Sequence, residues 1–426
     1  MKHQKLLLFV TMLVAGICLS TDAQALSQFA RKYNVNCQTC HTAFPRLTYF
    51  GEQFKRNAYQ MPETQDGDET KDKVNDELFI DKIGNLFGVR VSISPVKYEW
   101  NRLTTEGVAR ERLSFGNPNW LQFFASGNIF KNTSLLIETE IQSNKSSIQA
   151  YNNWFMVGYH NIFDSSLLNV RIGKLSALDH AAQSGRLRMI PSLSIDGLAN
   201  VKSAGGYTAA AQATALAGSG VTAANSTQDD QVAYADAQPG VEVFGYKGPF
   251  LYSVGVANGK TLTDANKYKN FFGTLRAEIE KGDFAGSNLT QSGYLGWDTA
   301  NNTRARQTDK FWRSLTGANL RWKKFDVIGA FLYGKDDNWN LLTNLNQTSK
   351  SIMGQAGYML TTKWFLAMQY DWVKGTDGSN DANFLSPSVT FMPRENMRLD
   401  LLGRIDFKGA AADRKHEVGM NIRTMF

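Results

Sequence analysis

The segment Arg398-Leu399-Asp400-Leu401-Leu402-Gly403-Arg404-Ile405-Asp406-Phe407 decides the fold class. Leu399, Leu401, Ile405 and Phe407 alternate with Arg398, Asp400, Arg404 and Asp406. Successive side chains of an extended strand point to opposite faces, so this period of two gives one apolar face and one charged face. The pattern recurs along the chain. In 133–142, Leu135, Ile137 and Ile141 alternate with Glu138, Glu140 and Gln142. In 363–373, Trp364, Leu366, Met368, Tyr370 and Trp372 alternate with Gln369 and Asp371. Residues 89–94 and 167–173 repeat it on a shorter scale.

One such strand is ambiguous. In a soluble sandwich the apolar face looks inward and the charges outward. In an outer-membrane barrel the apolar face meets lipid and the charges line the lumen. Three wider features select the barrel. The chain ends on Val418, Met420, Ile422, Thr424 and Phe426, alternating with Glu417, Gly419, Asn421 and Arg423, an amphipathic strand closing on a terminal Phe. Aromatics make up 12% of the chain. Trp120, Trp322, Trp364 and Trp372 fall near strand ends, where interfacial girdles sit. Tight connections at 323–325 and 361–363 contrast with the long polar segments 175–238, 281–311 and 374–383, which read as extracellular loops. Strand starts fall near 84, 108, 120, 133, 151, 167, 240, 250, 268, 311, 325, 350, 363, 384, 396 and 414. The expected fold is therefore an all-β transmembrane barrel of about 16 antiparallel strands over residues 76–426.

The N-terminus reads differently. Lys2, His3 and Lys5 precede an apolar run from Leu6 to Leu19, and Ala23-Gln24-Ala25 offers a cleavage site. This is the pattern of a signal peptide over residues 1–25, removed on export to the bacterial outer membrane. Cys18 leaves with it, so the two remaining cysteines are Cys37 and Cys40. Residues 26–75 are polar and helical in flavour, ending in the charged stretch 62–77, which reads as a solvated linker. The formal net charge of +7 is spread along the chain without a basic block, so no nucleic-acid binding is expected.

Cys37-Gln38-Thr39-Cys40-His41 carries the chemistry. In a CxxCH motif each thiol adds to one haem vinyl group, and the following His ligates the iron. The competing readings are weaker in context. A thioredoxin-like CxxC sits in a βαβ setting, and a zinc site needs a second ligand pair nearby. One covalently bound haem c is expected, on a small N-terminal helical c-type haem domain that plugs the lumen. Met61, twenty residues after His41, is the first candidate for the second axial ligand. His160, on a strand with Trp154, Met156 and Gly158, is the next. His180 in a loop and His416 at a strand end rank below them, and five-coordinate iron stays open. No nucleophile elbow, P-loop or HExxH accompanies the motif.

Around the motif lie Phe29-Ala30-Arg31, Phe44-Pro45-Arg46-Leu47-Thr48, Phe50-Gly51, Phe54-Lys55 and Tyr59. This run, over residues 28–61, resembles the fused monohaem cytochrome–porins of iron-oxidising bacteria, which carry a Pro-x-Leu-Thr-x-x-Gly-x-x-Phe-Lys segment after the haem motif. Pro45, Leu47, Thr48, Gly51, Phe54 and Lys55 keep that pattern. Glu52 departs from it, where a basic residue is common, as does Ala58, where Gly precedes the tyrosine. The resemblance implies an outer-membrane Fe(II) oxidase. It would take single electrons from extracellular Fe(II) and pass them to a periplasmic c-type cytochrome or other carrier, with outer-membrane lipid around the barrel. The alternatives are a conduit for another donor or acceptor, and a passive solute porin with a haem-bearing plug.

Overall fold

The computed structural model describes residues 27–426 apart from 63, 65–70, 76–78, 104–108, 117–118, 145–146, 192–194, 196–226, 229–233, 260–267, 302–305, 341–344, 376–380 and 409–413. The expected signal peptide and part of the charged linker lie outside the described residues.

Among the described residues a closed antiparallel barrel of 16 strands is formed. Its strands are β1 (Phe87–Leu103), β2 (Asn119–Phe130), β3 (Thr133–Asn144), β4 (Ser147–Tyr159), β5 (Asn169–Leu175), β6 (Gln238–Lys247), β7 (Phe250–Ala257) and β8 (Asn270–Glu278). They continue as β9 (Asn288–Asn301), β10 (Arg306–Trp322), β11 (Phe325–Asn340), β12 (Leu345–Thr361), β13 (Trp364–Gly375), β14 (Ala382–Arg394), β15 (Met397–Asp406) and β16 (His416–Met425). Closure comes from β16 on β1, sealed by reciprocal backbone bonds between Phe426 and Val89. A closed barrel leaves no unpaired sheet edge, so every strand can satisfy its backbone in hydrocarbon.

The two faces are inverted relative to a soluble protein. On β13, Met368 is 51% exposed while its neighbour Gln369 is 0%. On β15, Leu401 faces out while Arg398, Asp400 and Asp406 are buried inside. An apolar exterior around a charged interior suits lipid outside and a polar lumen. Aromatic pairs mark both rims: Trp322 on Phe325 and Trp364 on Phe391 near the short turns, Tyr98 on Trp100 and Trp312 on Tyr333 toward the other end. Among the described residues no helix is long and apolar enough to cross a membrane; strands do the crossing.

Three expectations need correction. Residues 281–311 are not one long loop, because β9 and the start of β10 run through them. The outward positions of β9 include Gln291 and Gly293 beside Leu289 and Leu295, which dilutes its apolar signal. Conversely, the start near 108 belongs to a short piece, Ala109–Ser114, that pairs with the outer part of β1 above β2. One strand missed and one counted twice leave the total unchanged. The segment after β5, expected to be extracellular, folds inward: Ala177, Leu178, Asp179, Ala181, Ala182, Gln183 and Ile190 are buried.

The lumen also holds the N-terminal residues, with helices α1 (Gln28–Tyr33), α2 (Cys37–Cys40) and α3 (Tyr49–Arg56). They lie at the end of the barrel that carries the tight turns. Cys37 N donates to Glu395 Oε2 in the β14–β15 turn at 3.0 Å, and Gln38 Nε2 to Thr362 O in the β12–β13 turn at 2.8 Å. In outer-membrane barrels the short turns face the periplasm.

Candidate functional site

Local capping shapes the CxxCH segment. Asn36 caps α2 by accepting from Thr39 N at 2.9 Å and Thr39 Oγ1 at 3.0 Å. A single helical turn then brings the Cys37 and Cys40 side chains, three residues apart, to one face. His41 follows at once in extended conformation (φ −126°, ψ 131°). Thr48 caps α3 by accepting from Gly51 N at 3.1 Å, and its hydroxyl donates to Thr39 O at 2.8 Å. The two helices press so closely that a Cβ at Gly51 would stand 2.1 Å from the Cys40 carbonyl oxygen, so only glycine fits.

Behind the motif lies an aromatic nucleus of Phe29, Tyr33, Phe54 and Tyr59. The Phe29 ring packs edge-on to Phe54 and stacks on Tyr59, each at 5.2 Å, and Tyr33 meets Phe54 at 5.5 Å. Aromatic pairs at these spacings stabilise beyond their burial alone. Ala58 sits next to this nucleus at φ 58°, in the left-handed region that favours glycine. Its departure from the family pattern therefore carries strain. Ala58→Gly is expected to raise stability by about 0.5–1 kcal/mol, a left-handed alanine costing more than glycine's extra chain entropy. The midpoint of denaturant unfolding of the purified protein checks the sign; a lower midpoint would contradict the strain argument.

Cys37, Cys40 and His41 line one wall of a cavity between the small domain and the barrel, about 1500 Å³ including the solvent space at its mouth. Both cysteines are free thiols. Burial, then Glu395, pushes the Cys37 thiol up to about 11, and burial, then Cys37, does the same for Cys40. Desolvation lowers His41 to about 4 against the opposing backbone of Pro45 and Arg46, so its imidazole is neutral at physiological pH, the form that ligates a metal. Its Nδ1 is buried without a hydrogen-bond partner. Two thiols in the reduced state, a neutral imidazole beside them and a large cavity in front fit haem c attached through Cys37 and Cys40 and ligated by His41.

The other predicted ligands lie elsewhere. Met61 is in the turn after α3, where its carbonyl accepts from Asn57 and Thr64, and it does not border the cavity. His160 borders a separate small space, with Nε2 2.7 Å from Ser134 Oγ. His180 borders that same space, 3.4 Å from Glu242. His416 stacks on Trp100 at the barrel's far rim. The methionines on the cavity wall, among the described residues, are instead Met392, Met397 and Met425, from β14, β15 and β16.

Buried ion pairs seat the small domain. Arg46, 0% exposed, grips Asp326 on β11 with Nε–Oδ2 at 2.5 Å and Nη2–Oδ1 at 3.1 Å, and donates to Asn319 at 2.8 Å. Glu52 lies between Arg276 on β8 and Arg321 on β10, the latter at 2.5 Å. Burial alone would raise its pKa, yet the guanidiniums of Arg276, Arg321 and Arg46 hold it well below the usual carboxylate range. The acidic departure at Glu52 is thus matched by arginines on the wall. Arg56 pairs with Glu278 at 2.5 Å, and Lys55 with Asp179 of the inward-folded segment at 2.8 Å. The two inserts thereby meet inside the lumen. Asp179 and Arg186 escaped the sequence reading, as did the convergence of Arg90, Arg398 and Arg423 on one cavity. Strand parity marks the three strand arginines as lumen-facing, but not which wall positions converge on the plug.

The fold is that of an outer-membrane porin. Among solved structures, the chain is similar to the anion-selective porin from Comamonas acidovorans, with a TM-score of 0.53 at 13% identity, over 80% of this chain and 98% of that one. It is similar also to in-vitro folded OmpT, an outer membrane protein of Vibrio cholerae, in its trimer form, with a TM-score of 0.50 at 11% identity, over 80% and 98%. At these identities the likeness concerns the barrel fold. No family model matches the chain, and no curated protein does.

Proposed function

We propose that this chain is an outer-membrane electron-transfer protein. In this reading it takes single electrons from extracellular Fe(II) and delivers them to a periplasmic c-type cytochrome or other carrier, an iron:cytochrome-type oxidoreductase. The observation that carries this reading is the meeting of Cys37, Cys40 and His41 on one cavity wall, inside a lumen that the small domain and the segment after β5 both enter. Haem c bound there supplies a one-electron couple, which suits oxidation of Fe(II) to Fe(III). The chain's own residues do the rest. Asn36 and Thr48 fix the geometry of the attachment turn, Gly51 lets α3 brace it, and His41 presents a neutral imidazole. Arg46, Glu52 and Arg56 lock the domain to the wall. Fe(III) precipitates at neutral pH, so a cell gains by oxidising iron outside and importing only electrons across ~30 Å of hydrocarbon. The tight-turn end, where the motif lies, is the end a periplasmic carrier meets.

Anaerobic titration of the purified protein with Fe(II) at neutral pH, followed by haem absorbance, tests this. About one Fe(II) per chain is expected to complete reduction. A haem that dithionite reduces and Fe(II) leaves oxidised would move the protein to another donor or acceptor.

The porin fold favours a second reading, passive passage of solutes around a haem-bearing plug. Planar-bilayer conductance separates the two. A large current, indifferent to Cys37→Ser, supports solute passage; a small one supports the electron-transfer reading.

A further inference from the structure

The barrel wall of the cavity carries more arginine than its own carboxylates match. Arg398 on β15 and Arg423 on β16 are direct cross-strand partners. Arg423 in turn pairs across β1 with Ser92, and Arg90 is two residues from Ser92 on the same lumen face. Three arginines on three adjacent strands thus line one side of the cavity. Like charges directly opposite in a sheet repel, and the low dielectric of a protein interior strengthens the repulsion. A second source of charge must hold them there.

Protein carboxylates account for part of it. Arg398 has Asp400 at 2.9 Å. Arg90 has Glu138 at 3.5 Å, but that carboxylate also accepts from Gln122 at 2.7 Å. Arg423 bonds Ser92 Oγ at 2.8 Å and has no carboxylate within ion-pair distance among the described residues. Across the cavity, Arg186 of the inward segment shares Asp179 with Lys55 and Arg171. The patch adjoins the attachment motif: Arg398 donates to the Phe44 carbonyl, the Arg90 guanidinium lies 5.6 Å from the Phe44 ring, and that ring is 5.1 Å from His41.

We propose that Arg423, with Arg90 and Arg398, binds the paired carboxylates of the haem attached at Cys37 and Cys40. The inference rests on the haem reading of the motif. Haem c carries two propionates; guanidinium forks match carboxylates in shape and charge. The arrangement gives the barrel wall a role beyond enclosure: it fixes the orientation of a group tethered to the plug, and its surplus cations set the electrostatic field at the iron.

The test uses the full-length, detergent-purified protein, with covalent haem counted as its pyridine haemochrome. Two quantities are read, the midpoint potential by redox titration and the propionate bending band by resonance Raman. Arg423→Gln and Arg90→Gln are expected to lower the potential, since removing a cation favours the ferric state, and to shift the propionate band. Arg423→Lys should recover most of the potential, because the charge stays, while the band remains shifted because the fork is gone. Arg313→Gln, which alters a pair with Asp336 away from this cavity, should move neither. If Arg423→Gln does not assemble, Arg90→Gln and Arg423→Lys carry the same readings. Native potential and native band in these variants would overturn the inference. So would a patch that added inorganic phosphate stabilises through Arg423 without any change in the band, since a free anion would then be its ligand. Native protein without covalent haem would overturn the reading beneath it, and the haemochrome assay shows that failure separately.

Discussion

The full-length Cys37→Ser/Cys40→Ser protein is expected to assemble as a closed barrel and to carry no haem that survives denaturing electrophoresis. The structure gives both halves of this result. Neither thiol makes a tertiary hydrogen bond; Cys37 reaches Glu395 through its backbone N–H, which serine keeps. Both side chains are only partly buried, so serine costs at most about 1 kcal/mol, the scale of a surface substitution away from special features. The cap by Asn36, the Gly51 contact and the Phe29–Phe54–Tyr59 nucleus remain intact. Heat-modifiable migration on a gel should therefore match the native protein. Attachment is different in kind, since a covalent bond cannot form without the sulfur. His41 alone would hold haem reversibly, so haem staining after denaturation should fall from one per chain to none. Reduction by Fe(II) should disappear with it. Haem retained at full stoichiometry through denaturation would mean that attachment does not use these thiols. In bilayers the size of the current, large for a solute porin and small for an electron-transfer protein, separates the two functional readings, and this variant is expected to leave it unchanged in either.

Much of the barrel was legible from sequence because membrane strands obey a local rule. Side chains alternate between lipid and lumen, so Leu399, Leu401, Gln369 and Asp371 declare their faces within a few residues of chain. The rule fails where the lipid-facing positions are small or polar, as at Gln291 and Gly293, and β9 disappeared into a supposed loop. The grouping of Cys37, Cys40 and His41 was legible for the same reason: all three lie within five residues of chain. The opposing wall was not. Arg90, Arg398 and Arg423 are more than three hundred residues of chain apart at the extremes, and only closure of β16 on β1 brings them together. A second axial ligand sought near the motif, at Met61, or on an apolar-patterned strand, at His160, meets the same difficulty. Proximity in sequence predicts a ligand only inside a self-contained domain, and here half the cavity belongs to the barrel. Glu52 shows the converse. Its departure from the family pattern has no meaning until Arg276 and Arg321 are placed beside it.

That contact makes the second large prediction. Glu52→Gln is expected to loosen the small domain from the wall and raise ion conductance through the barrel. Glu52 is 7% exposed and serves two guanidiniums at once, with a third, Arg46, nearby. Neutralising it leaves Arg321 without its paired carboxylate, while Arg276 keeps Glu278 at 3.0 Å and Arg46 keeps Asp326, and breaking a buried pair from one side costs about 3–5 kcal/mol. At 1.4 kcal/mol per tenfold this shifts the docking equilibrium by roughly a hundredfold to a few thousandfold. A plug that is undocked rarely in the native protein would be undocked often enough to register as channel openings in planar bilayers. Arg321→Gln added to Glu52→Gln removes the stranded cation and should restore part of the closed state, whereas independent effects would simply add. Acid supplies a parallel test. The folded-state pKa of Glu52 is depressed from an ordinary 4.5 by the arginines that face it, against the opposing effect of burial. Its stabilisation is therefore fully present above that ordinary value and is lost as pH falls through the lower folded value. Native openings should stay rare at pH 5 and increase only well below 4.5, while the Glu52→Gln trace should show a weaker dependence over that range. A variant as closed as the native protein at neutral pH would show that Arg46–Asp326 and Arg56–Glu278 hold the plug without Glu52, and the single-pair argument would fail.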